Sequence, residues 1–301
     1  MDEAEIRATF SKIIKTEDVS PGIAAIKTLM QMVKVSDVTT LQELRKTMTI
    51  ATDYMRDMDY PAASISSSSE LLLRFISLAS LDGVAFSECK RIMIDRGQMF
   101  LKKLLDGRGK IAKSASKFIL DGSRILTHSR SRGVLYALKE AMGQDKKFEV
   151  FVTHSAPDNS GELMKKELDK AGIPSTLILD SAIGYIMETI DFVMVGAEGV
   201  AESGGIVNKI GTFTIAMCAK EMKKPFYVMA ESFKFSRLFP LGQSDLPLDY
   251  KYTSSVRKNM ILDKEDPLVD YTPPNYITLL ITDIGILTPS GVSDELIKLY
   301  I

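Results

Sequence analysis

The chain has 301 residues, of which 45% are hydrophobic and 26% are charged, a composition typical of a globular protein with room for about two domains. Its 38 basic and 39 acidic residues give a formal net charge of −1, which excludes the strongly basic surface of a general nucleic-acid-binding protein. The two cysteines, Cys89 and Cys218, are too few for a disulfide framework, which indicates a reducing compartment.

The first 120 residues have the pattern of a helical domain. Apolar residues step by three and four along a predicted helix at Leu41, Leu44, Met48, Ala51 and Met55. Ser67 is followed three residues later by Glu70 and then by an apolar run, which is the spacing of a capping box and predicts the start of another helix. No strand-length alternation stands out, so we predict an all-helical N-terminal domain over residues 1–120.

From residue 121 onward, short apolar runs alternate with helical patterns. The runs that predict strands are 124–127, 148–153, 175–179, 192–195, 226–230 and 277–281. Apolar strands that alternate with helices are typical of a parallel sheet covered on both faces. We therefore predict a Rossmann-like, doubly wound α/β domain over residues 121–301. Within this domain, residues 231–276 show no clear strand, which is a long interval for a compact domain.

Two of the predicted strands are followed by polar or glycine-rich loops. Residues 128–133 read His-Ser-Arg-Ser-Arg-Gly, and residues 196–212 combine several glycines with Lys209. Ligands of open parallel sheets bind at the carboxyl ends of the strands, where hydroxyls, guanidinium groups and free N–H groups at a helix start suit a phosphate. The loops match neither a Walker motif nor a dinucleotide fingerprint. We predict a site for a small phosphorylated ligand, and a purely structural role of both loops is the alternative.

The sequence indicates no metal or cofactor chemistry. Cys89, Cys218, His128 and His154 match no zinc spacing, and we expect His128 to be a hydrogen-bonded residue at a strand end rather than a catalyst. The first ten residues lack the features of a signal peptide, and no run of about 18 apolar residues is present. We expect a cytosolic protein without membrane contacts and without direct contacts to nucleic acid.

The glycine-rich loop resembles a family signature. Residues 196–199 (Gly-Ala-Glu-Gly) and 208–212 (Asn-Lys-Ile-Gly-Thr) are similar to the signature shared by the regulatory subunits of eukaryotic translation initiation factor 2B and two sugar-phosphate aldose–ketose isomerases. The isomerases act on ribose 1,5-bisphosphate and methylthioribose 1-phosphate. The resemblance covers essentially the whole chain, and the closing residues 293–300 and the length resemble a shorter regulatory subunit rather than the longer beta and delta subunits. It implies a helical N-terminal domain, a Rossmann-like C-terminal domain, and a homodimer formed largely through the C-terminal domains.

The resemblance also implies a binding pocket without catalysis. Where the isomerases carry a cysteine as proton acceptor and an aspartate as proton donor, this chain has Ser129 and Glu198. A serine hydroxyl is a far weaker base than a cysteine with a pKa near 8.5, and the longer glutamate displaces its carboxyl by roughly one bond. The positions that match the family's contacts to substrate phosphates and hydroxyls are Ser131, Arg132, Gly133, Asn208, Lys209 and Lys234. Lys27 stands where the isomerases have an arginine, and by this resemblance it is a further candidate ligand-binding residue. The resemblance thus predicts a retained sugar-phosphate pocket and no enzymatic activity.

The family further implies protein partners. A regulatory subunit of this kind is expected to form a homodimer that bridges the exchange complex for initiation factor 2, together with beta, gamma, delta and epsilon subunits. It is also expected to help sense the phosphorylated alpha subunit of initiation factor 2. Our candidates for that contact are Thr40, Glu43 and Lys46, and an ordinary exposed helix start is the alternative reading of these residues. For the whole chain, the alternatives are an aldose–ketose isomerase acting on a phosphorylated pentose and an unrelated nucleotide-binding module.

Overall fold

The computed structural model describes residues 1–17, 19–77, 86–258 and 266–300. They form two compact units. The first contains the described residues of 1–106 and of 247–266, and the second contains residues 107–246 and 267–299. The sequence predicts one boundary near residue 120, whereas the units divide near residue 106 and a later segment belongs to the first unit.

The helices and strands alternate along the chain in the predicted order, helices alone first and then a mixed α/β region. The described helices are α1 (Glu3–Glu17), α2 (Pro21–Val35), α3 (Leu41–Arg56), α4 (Ala62–Ser77), α5 (Phe86–Ala115), α6 (Arg132–Met142), α7 (Ser160–Lys170), α8 (Ile183–Ile186), α9 (Thr212–Glu221), α10 (Leu248–Lys251), α11 (Ser254–Lys258) and α12 (Gly291–Tyr300). The described strands are β1 (Arg124–His128), β2 (Glu149–Thr153), β3 (Ser175–Ile178), β4 (Phe192–Gly196), β5 (Gly199–Val200), β6 (Ile206–Lys209), β7 (Phe226–Met229), β8 (Val269–Thr272), β9 (Leu279–Thr282) and β10 (Gly285–Leu287). None of these helices is both long enough and apolar enough to cross a bilayer.

The helical character of the first unit confirms the sequence prediction. Helix α2 starts after Ser20, whose hydroxyl oxygen accepts a hydrogen bond from the Ile23 N–H, and Pro21 suits the first turn because it has no N–H to satisfy there. The helix is buried along most of its length because its apolar residues recur at helical spacing.

The predicted helix start at Ser67 is wrong. Helix α4 begins at Ala62, so Ser67 lies in its second turn and is buried. Its hydroxyl donates to the Ala63 carbonyl oxygen at 3.0 Å, and the Ser68 hydroxyl donates to the Ser64 carbonyl oxygen at 2.6 Å. A serine hydroxyl that bonds back to the preceding turn can be accommodated inside a helix. The serine run therefore lies within the buried helix and does not cap its start.

The α/β unit contains a seven-stranded sheet in the order β10-β9-β7-β4-β1-β2-β3. All pairs are parallel except the one between β9 and β10. The predicted doubly wound α/β fold is therefore confirmed. The strand order reverses beside β1, which pairs with β2 on one side and β4 on the other. This is the topological switch point, where the carboxyl ends of neighbouring strands open a crevice.

A second, smaller sheet lies in the order β5-β6-β8 and is antiparallel. The sequence missed β8, because its four residues, Val-Asp-Tyr-Thr, include a charge and are too few for a recognisable alternation. On the side of Tyr271, the amide of Gln243 donates to the Tyr271 carbonyl at 2.7 Å and accepts from its N–H at 2.8 Å. Part of the predicted strand-free interval is therefore a buried strand.

Another part of that interval, residues 247–258, belongs to the helical unit. Arg56 at the end of α3 forms an ion pair with Asp249, and the neighbouring Asp57 accepts a hydrogen bond of 2.6 Å from the Ser254 hydroxyl. The length of the interval 231–276 is explained because one part of it belongs to the helical unit and the rest to the α/β unit.

Candidate functional site

The two loops predicted to hold a ligand lie together at the switch point. Ser131 caps α6, and its hydroxyl oxygen accepts a hydrogen bond from the Val134 N–H at 3.3 Å. Gly196, the last residue of β4, lies directly against this cap: a Cβ atom at Gly196 would be 2.4 Å from the Ser131 Oγ. Arg132 and Gly133 form the first turn of α6, where unpaired backbone N–H groups and the helix dipole favour an anion.

His128 holds the loops in place. The imidazole is 1% exposed, with Nε2 2.8 Å from the Ile210 carbonyl oxygen and Nδ1 2.6 Å from the Thr153 Oγ1. Since a carbonyl only accepts, Nε2 carries the proton and Nδ1 accepts from the threonine hydroxyl. Burial lowers the pKa of His128, so the neutral ring is favoured. His128 therefore joins β1, β2 and the loop after β6, which is the structural role expected from the sequence.

Lys209 and Lys234 share one electrostatic environment with Glu198. Burial raises the pKa of the Glu198 carboxyl, while the positive charges of Lys209 and Lys234 act in the opposite direction. Lys209 also forms an ion pair with Asp158, the residue two positions before α7. The structure thus brings two of the predicted ligand-binding lysines to the same carboxyl group.

Lys234 belongs to a buried ion-pair network that the sequence analysis missed. Its Nζ lies 2.7 Å from Glu231 Oε2, and the Arg108 Nε donates to Glu231 Oε1 at 3.0 Å. Burial alone would raise the pKa of Glu231, but the two cations hold it at about 2. Glu231 follows β7 after one residue, so the strand-end rule could have identified it. Arg108 lies inside the long helix α5, where no sequence signal marks it.

Ser129 is hydrogen-bonded to a second hydroxyl at the start of α7. Its Oγ lies 2.7 Å from the Ser160 Oγ, at the start of α7. Ser160 is in turn hydrogen-bonded to the Asp158 carboxylate, which accepts its N–H at 3.0 Å and contacts its hydroxyl. The position that corresponds by resemblance to the isomerases' cysteine is therefore linked through Ser160 to Asp158.

Asn208 is buried at the end of β6, and its amide donates to the Thr212 Oγ1 at 3.0 Å. The same hydroxyl donates to the Lys209 carbonyl oxygen at 2.6 Å. These bonds close the turn from β6 into α9. A buried carboxylate on β8, Asp270, accepts the N–H groups of Gly211 and Phe213 at the same turn. No sequence pattern marks Asp270, because the four residues of β8 are too few to show a recognisable alternation.

The remaining predicted residues lie in the helical unit. Lys27 forms an ion pair with Glu17, and both line a cleft of about 390 Å³ in that unit. Thr40 caps α3 by accepting the Glu43 N–H at 3.2 Å, and the Glu43 carboxylate accepts the Thr39 N–H at 3.3 Å. Thr40 and Glu43 therefore have a structural function at a helix start, while Lys46 is exposed.

Metal binding finds no support in the described parts of the chain, where no group of three or more His, Cys, Asp and Glu side chains is arranged to hold an ion. The site is instead a set of cations, hydroxyls and one helix N-terminus around a carboxyl group.

Comparisons with known proteins agree with this fold. The model of the Initiation factor 2 subunit family matches residues 17–289. A protein of Caenorhabditis elegans described as translation initiation factor eIF2B subunit alpha is 41% identical over 304 residues and is covered completely, as is this chain. A ribose 1,5-bisphosphate isomerase of Archaeoglobus fulgidus is 33% identical over 88% of this chain and 83% of its own length. The crystal structure of the tetrameric eIF2B-beta2-delta2 complex from C. thermophilum contains a chain that superimposes with a TM-score of 0.77 at 19% identity, over 99% of this chain and 95% of that one, which shows a shared fold.

Proposed function

Since the chain belongs to the Initiation factor 2 subunit family, we propose that it acts as the alpha regulatory subunit of the guanine-nucleotide exchange factor for initiation factor 2 and catalyses no reaction itself. The full-length similarity to the worm alpha subunit, at 41% identity, supports this assignment over the isomerases, at 33%. The feature that carries the non-catalytic assignment is the pair Ser129 and Glu198, which stand where the isomerases have a cysteine and an aspartate, because a serine hydroxyl is a far weaker base than a cysteine thiol. In this role the protein is a cytosolic component of translation initiation.

The pocket at the switch point is proposed to bind a sugar phosphate. The start of α6 offers backbone N–H groups, and Lys209 and Lys234 offer positive charge within reach of the Glu198 carboxyl. Phosphate is recognised by this combination of a helix N-terminus and ammonium groups. Occupancy of the pocket would then serve stability or regulation rather than turnover.

The test is calorimetry of the purified chain against ribose 5-phosphate, ribose 1,5-bisphosphate and methylthioribose 1-phosphate, with the same samples assayed for isomer conversion. We expect binding without conversion. Conversion of a sugar phosphate into its isomer would instead support the second candidate function, that of an aldose–ketose isomerase. The similarity to the A. fulgidus enzyme favours this candidate. Absence of binding by all three compounds would refute the pocket.

Lys209→Ala is expected to weaken sugar-phosphate binding by at least about tenfold, because it removes a charge-assisted contact worth about 1.5–3 kcal/mol. It also leaves the Asp158 carboxylate without its ion-pair partner, which repels the phosphate further. The matched control is Lys165→Ala, which removes a lysine that pairs with Asp169 on the exposed face of α7. Equal affinities of the two variants, measured by calorimetry, would contradict the assignment of Lys209.

The partners of the chain are part of the same proposal. A homodimer formed through the α/β unit is supported by large apolar side chains of this unit that the single chain leaves exposed, among them Tyr185 at 87% and Leu241 at 82%. This dimer would bridge the beta, gamma, delta and epsilon subunits. For the contact with the phosphorylated alpha subunit of initiation factor 2, Lys46 is an exposed cation near the Thr40–Glu43 cap.

A further inference from the structure

The carboxylate of Asp270 holds the turn that carries two of the proposed ligand-binding residues. Asp270 lies on β8, in register with Asn208 of β6, and is 5% exposed. Its Oδ2 accepts two backbone hydrogen bonds, from the Gly211 N–H at 2.8 Å and the Phe213 N–H at 3.0 Å. Helix α9 begins between these two residues, so the carboxylate takes the N–H groups that a helix start leaves unsatisfied.

The turn is held from its other side as well. The His128 ring donates to the Ile210 carbonyl oxygen, and Gly211 follows with a φ of +101°, a value that favours glycine. A Cβ atom on Gly211 would lie 3.1 Å from the His128 ring. Asn208 and Lys209 enter this turn from β6, so the positions of both depend on the hold of His128 and Asp270.

Asp270 also determines which helix start is available to a phosphate. The dipole of α9 would favour an anion, but a carboxylate of the chain already occupies that position. The start of α6 has only the neutral Ser131 hydroxyl as its cap. A ligand phosphate is therefore expected at α6, with Lys209 reaching it from the turn that Asp270 fixes.

The second oxygen of Asp270 is buried and has no hydrogen-bond partner among the residues that the structure describes. A buried carboxylate with half of its hydrogen-bonding capacity unused resists ionisation. Burial accordingly raises the pKa of Asp270 to about 7, against the effect of the backbone N–H groups of Phe213, Gly211 and Asp270 itself.

The charged groups on the elements around Asp270 are engaged elsewhere. On β6, Lys209 pairs with Asp158; on α9, Lys220 lies 4.5 Å from the centre of the Tyr276 ring, while Glu221 is at the far end of the helix. Asp245, in the turn that bonds to Tyr271, accepts the N–H groups of Leu241 and Gly242. Further titratable groups on neighbouring elements are Cys218 on α9, His128 on β1, Tyr271 on β8 and Glu198, whose N–H donates to the Val207 carbonyl oxygen of β6 and whose pKa is also raised by burial.

We propose that Asp270 is a positioning residue whose negative charge orders the Asn208–Lys209 turn for ligand binding, so that the affinity for an anion at the α6 start rises as Asp270 ionises. This inference rests on the proposed sugar-phosphate pocket. The ionised form makes charge-assisted bonds to Gly211 and Phe213, which are stronger than those of the neutral acid.

The pH dependence of stability has the opposite sign. The folded pKa of about 7 exceeds the ordinary value of 3.8, so between these values the folded chain binds more protons than the unfolded chain. The contribution of Asp270 to stability is therefore fully present below about pH 4 and is lost as the pH rises through about 7. For a purely structural residue, a change in pH would lower ligand affinity and stability together. For Asp270, a rise in pH through about 7 is expected to raise ligand affinity and to lower stability.

The test follows the backbone amide of Gly211 by NMR in protein labelled with ¹⁵N-glycine, over roughly pH 5 to 9. We expect its shift to titrate with a midpoint near 7, and Asp270→Asn to abolish that titration. Asp191→Asn is the matched control, because Asp191 also accepts a backbone N–H, that of Arg124 at 2.8 Å, but at the amino end of β1. A titration of His128 would be recognised because burial lowers its pKa and because it would persist in the Asp270 variant.

The second arm adds inorganic sulfate, which keeps two negative charges throughout this range. Binding should strengthen by about tenfold on ionisation of Asp270, and by linkage sulfate should lower the Gly211 midpoint by the corresponding amount. A Gly211 amide that does not titrate in the wild-type protein, or a midpoint that sulfate raises or leaves unchanged while it binds, overturns the inference. If neither sulfate nor ribose 5-phosphate binds at any pH, the proposed pocket itself fails, and the positioning role fails with it.

Discussion

Gly196 leaves no room for a side chain at the end of β4, because a Cβ atom there would lie 2.4 Å from Ser131 Oγ and 3.0 Å from Ser131 Cβ. Gly196→Ala must therefore displace Ser131 and weaken the cap of α6. We expect the free energy of unfolding of the α/β unit to fall by about 1–3 kcal/mol, from overpacking and the lost cap, and sugar-phosphate binding to weaken with it. Urea denaturation and calorimetry measure the two effects.

Gly184→Ala is the control for this substitution. Gly184 lies in the short helix α8, and nothing is within 4 Å of the position that its Cβ would take. Alanine there should leave stability unchanged or raise it by up to about 1 kcal/mol, because alanine favours helix. If Gly196→Ala behaves like Gly184→Ala, the contact between the two loops is not tight and the described geometry of the site is wrong.

The residues of the site differ in how far the sequence could reveal them. Ser131 and Lys209 follow predicted strands or lie in a glycine-rich loop, so the strand-end rule places them at the switch point. Glu231, Asp158 and Asp270 are single carboxylates without a spacing pattern. Their function arises from partners far away in the chain, such as Arg108 for Glu231, and no local pattern encodes such a pairing.

Helix α4 contains a buried hydroxyl that its surroundings do not satisfy. Ser69 is 1% exposed, and its Oγ has no hydrogen-bond partner among the described residues. Ser69→Ala removes this buried polar group and adds helix propensity. We expect the free energy of unfolding to rise by about 0.5–1.5 kcal/mol, measured by urea denaturation.

Ser68→Ala provides the comparison within the same helix. The Ser68 hydroxyl donates to the Ser64 carbonyl oxygen at 2.6 Å, so its removal loses a hydrogen bond while helix propensity improves, and the net change should stay within about 0.5 kcal/mol. A loss of stability in Ser69→Ala would mean that its hydroxyl is bonded after all, for example to a buried water molecule, and would contradict the prediction.

Among the elements, those with a long apolar pattern were predictable and those defined by tertiary contacts were not. The core strand β4 is a continuous apolar run up to its final glycine, and β1 and β2 have apolar centres with polar ends; all three are buried except for the first residue of β1 and of β2, which is typical of strands covered on both faces. Strand β8 has four residues and one charge, and it exists because β6 and Gln243 offer hydrogen bonds to its backbone. The start of α4 was misplaced because a serine run has the same composition at a cap and inside a buried helix.

For the molecule as a whole, we expect light scattering to give twice the 33.3 kDa mass of one chain. Tyr185→Asp should shift the protein toward monomer, because it places a charge on the most exposed large apolar side chain described for the α/β unit. Ile50→Asp, at an exposed position of the helical unit, should leave the dimer intact. A dimer that persists in Tyr185→Asp but dissociates in Ile50→Asp would place the interface in the helical unit and contradict the prediction.

Copurification extends this prediction to the exchange complex. The tagged wild-type chain should bring down the beta, gamma, delta and epsilon subunits from cells, while a strictly monomeric chain without these partners would refute the regulatory-subunit assignment. The Tyr185→Asp variant should recover less of the assembled complex if the dimer bridges its two halves.

Because residues 247–258 belong to the helical unit, that unit is completed late in the synthesis of the chain. Arg56 and Asp57 leave the ribosome almost 200 residues before their partners Asp249 and Ser254, which are separated from them by 193 and 197 positions. Strands β8, β9 and β10, which complete the sheets of the α/β unit, are synthesised later still. Neither unit has all of its contacts until these late segments have been made, so we expect incomplete units with uncovered apolar surface during synthesis.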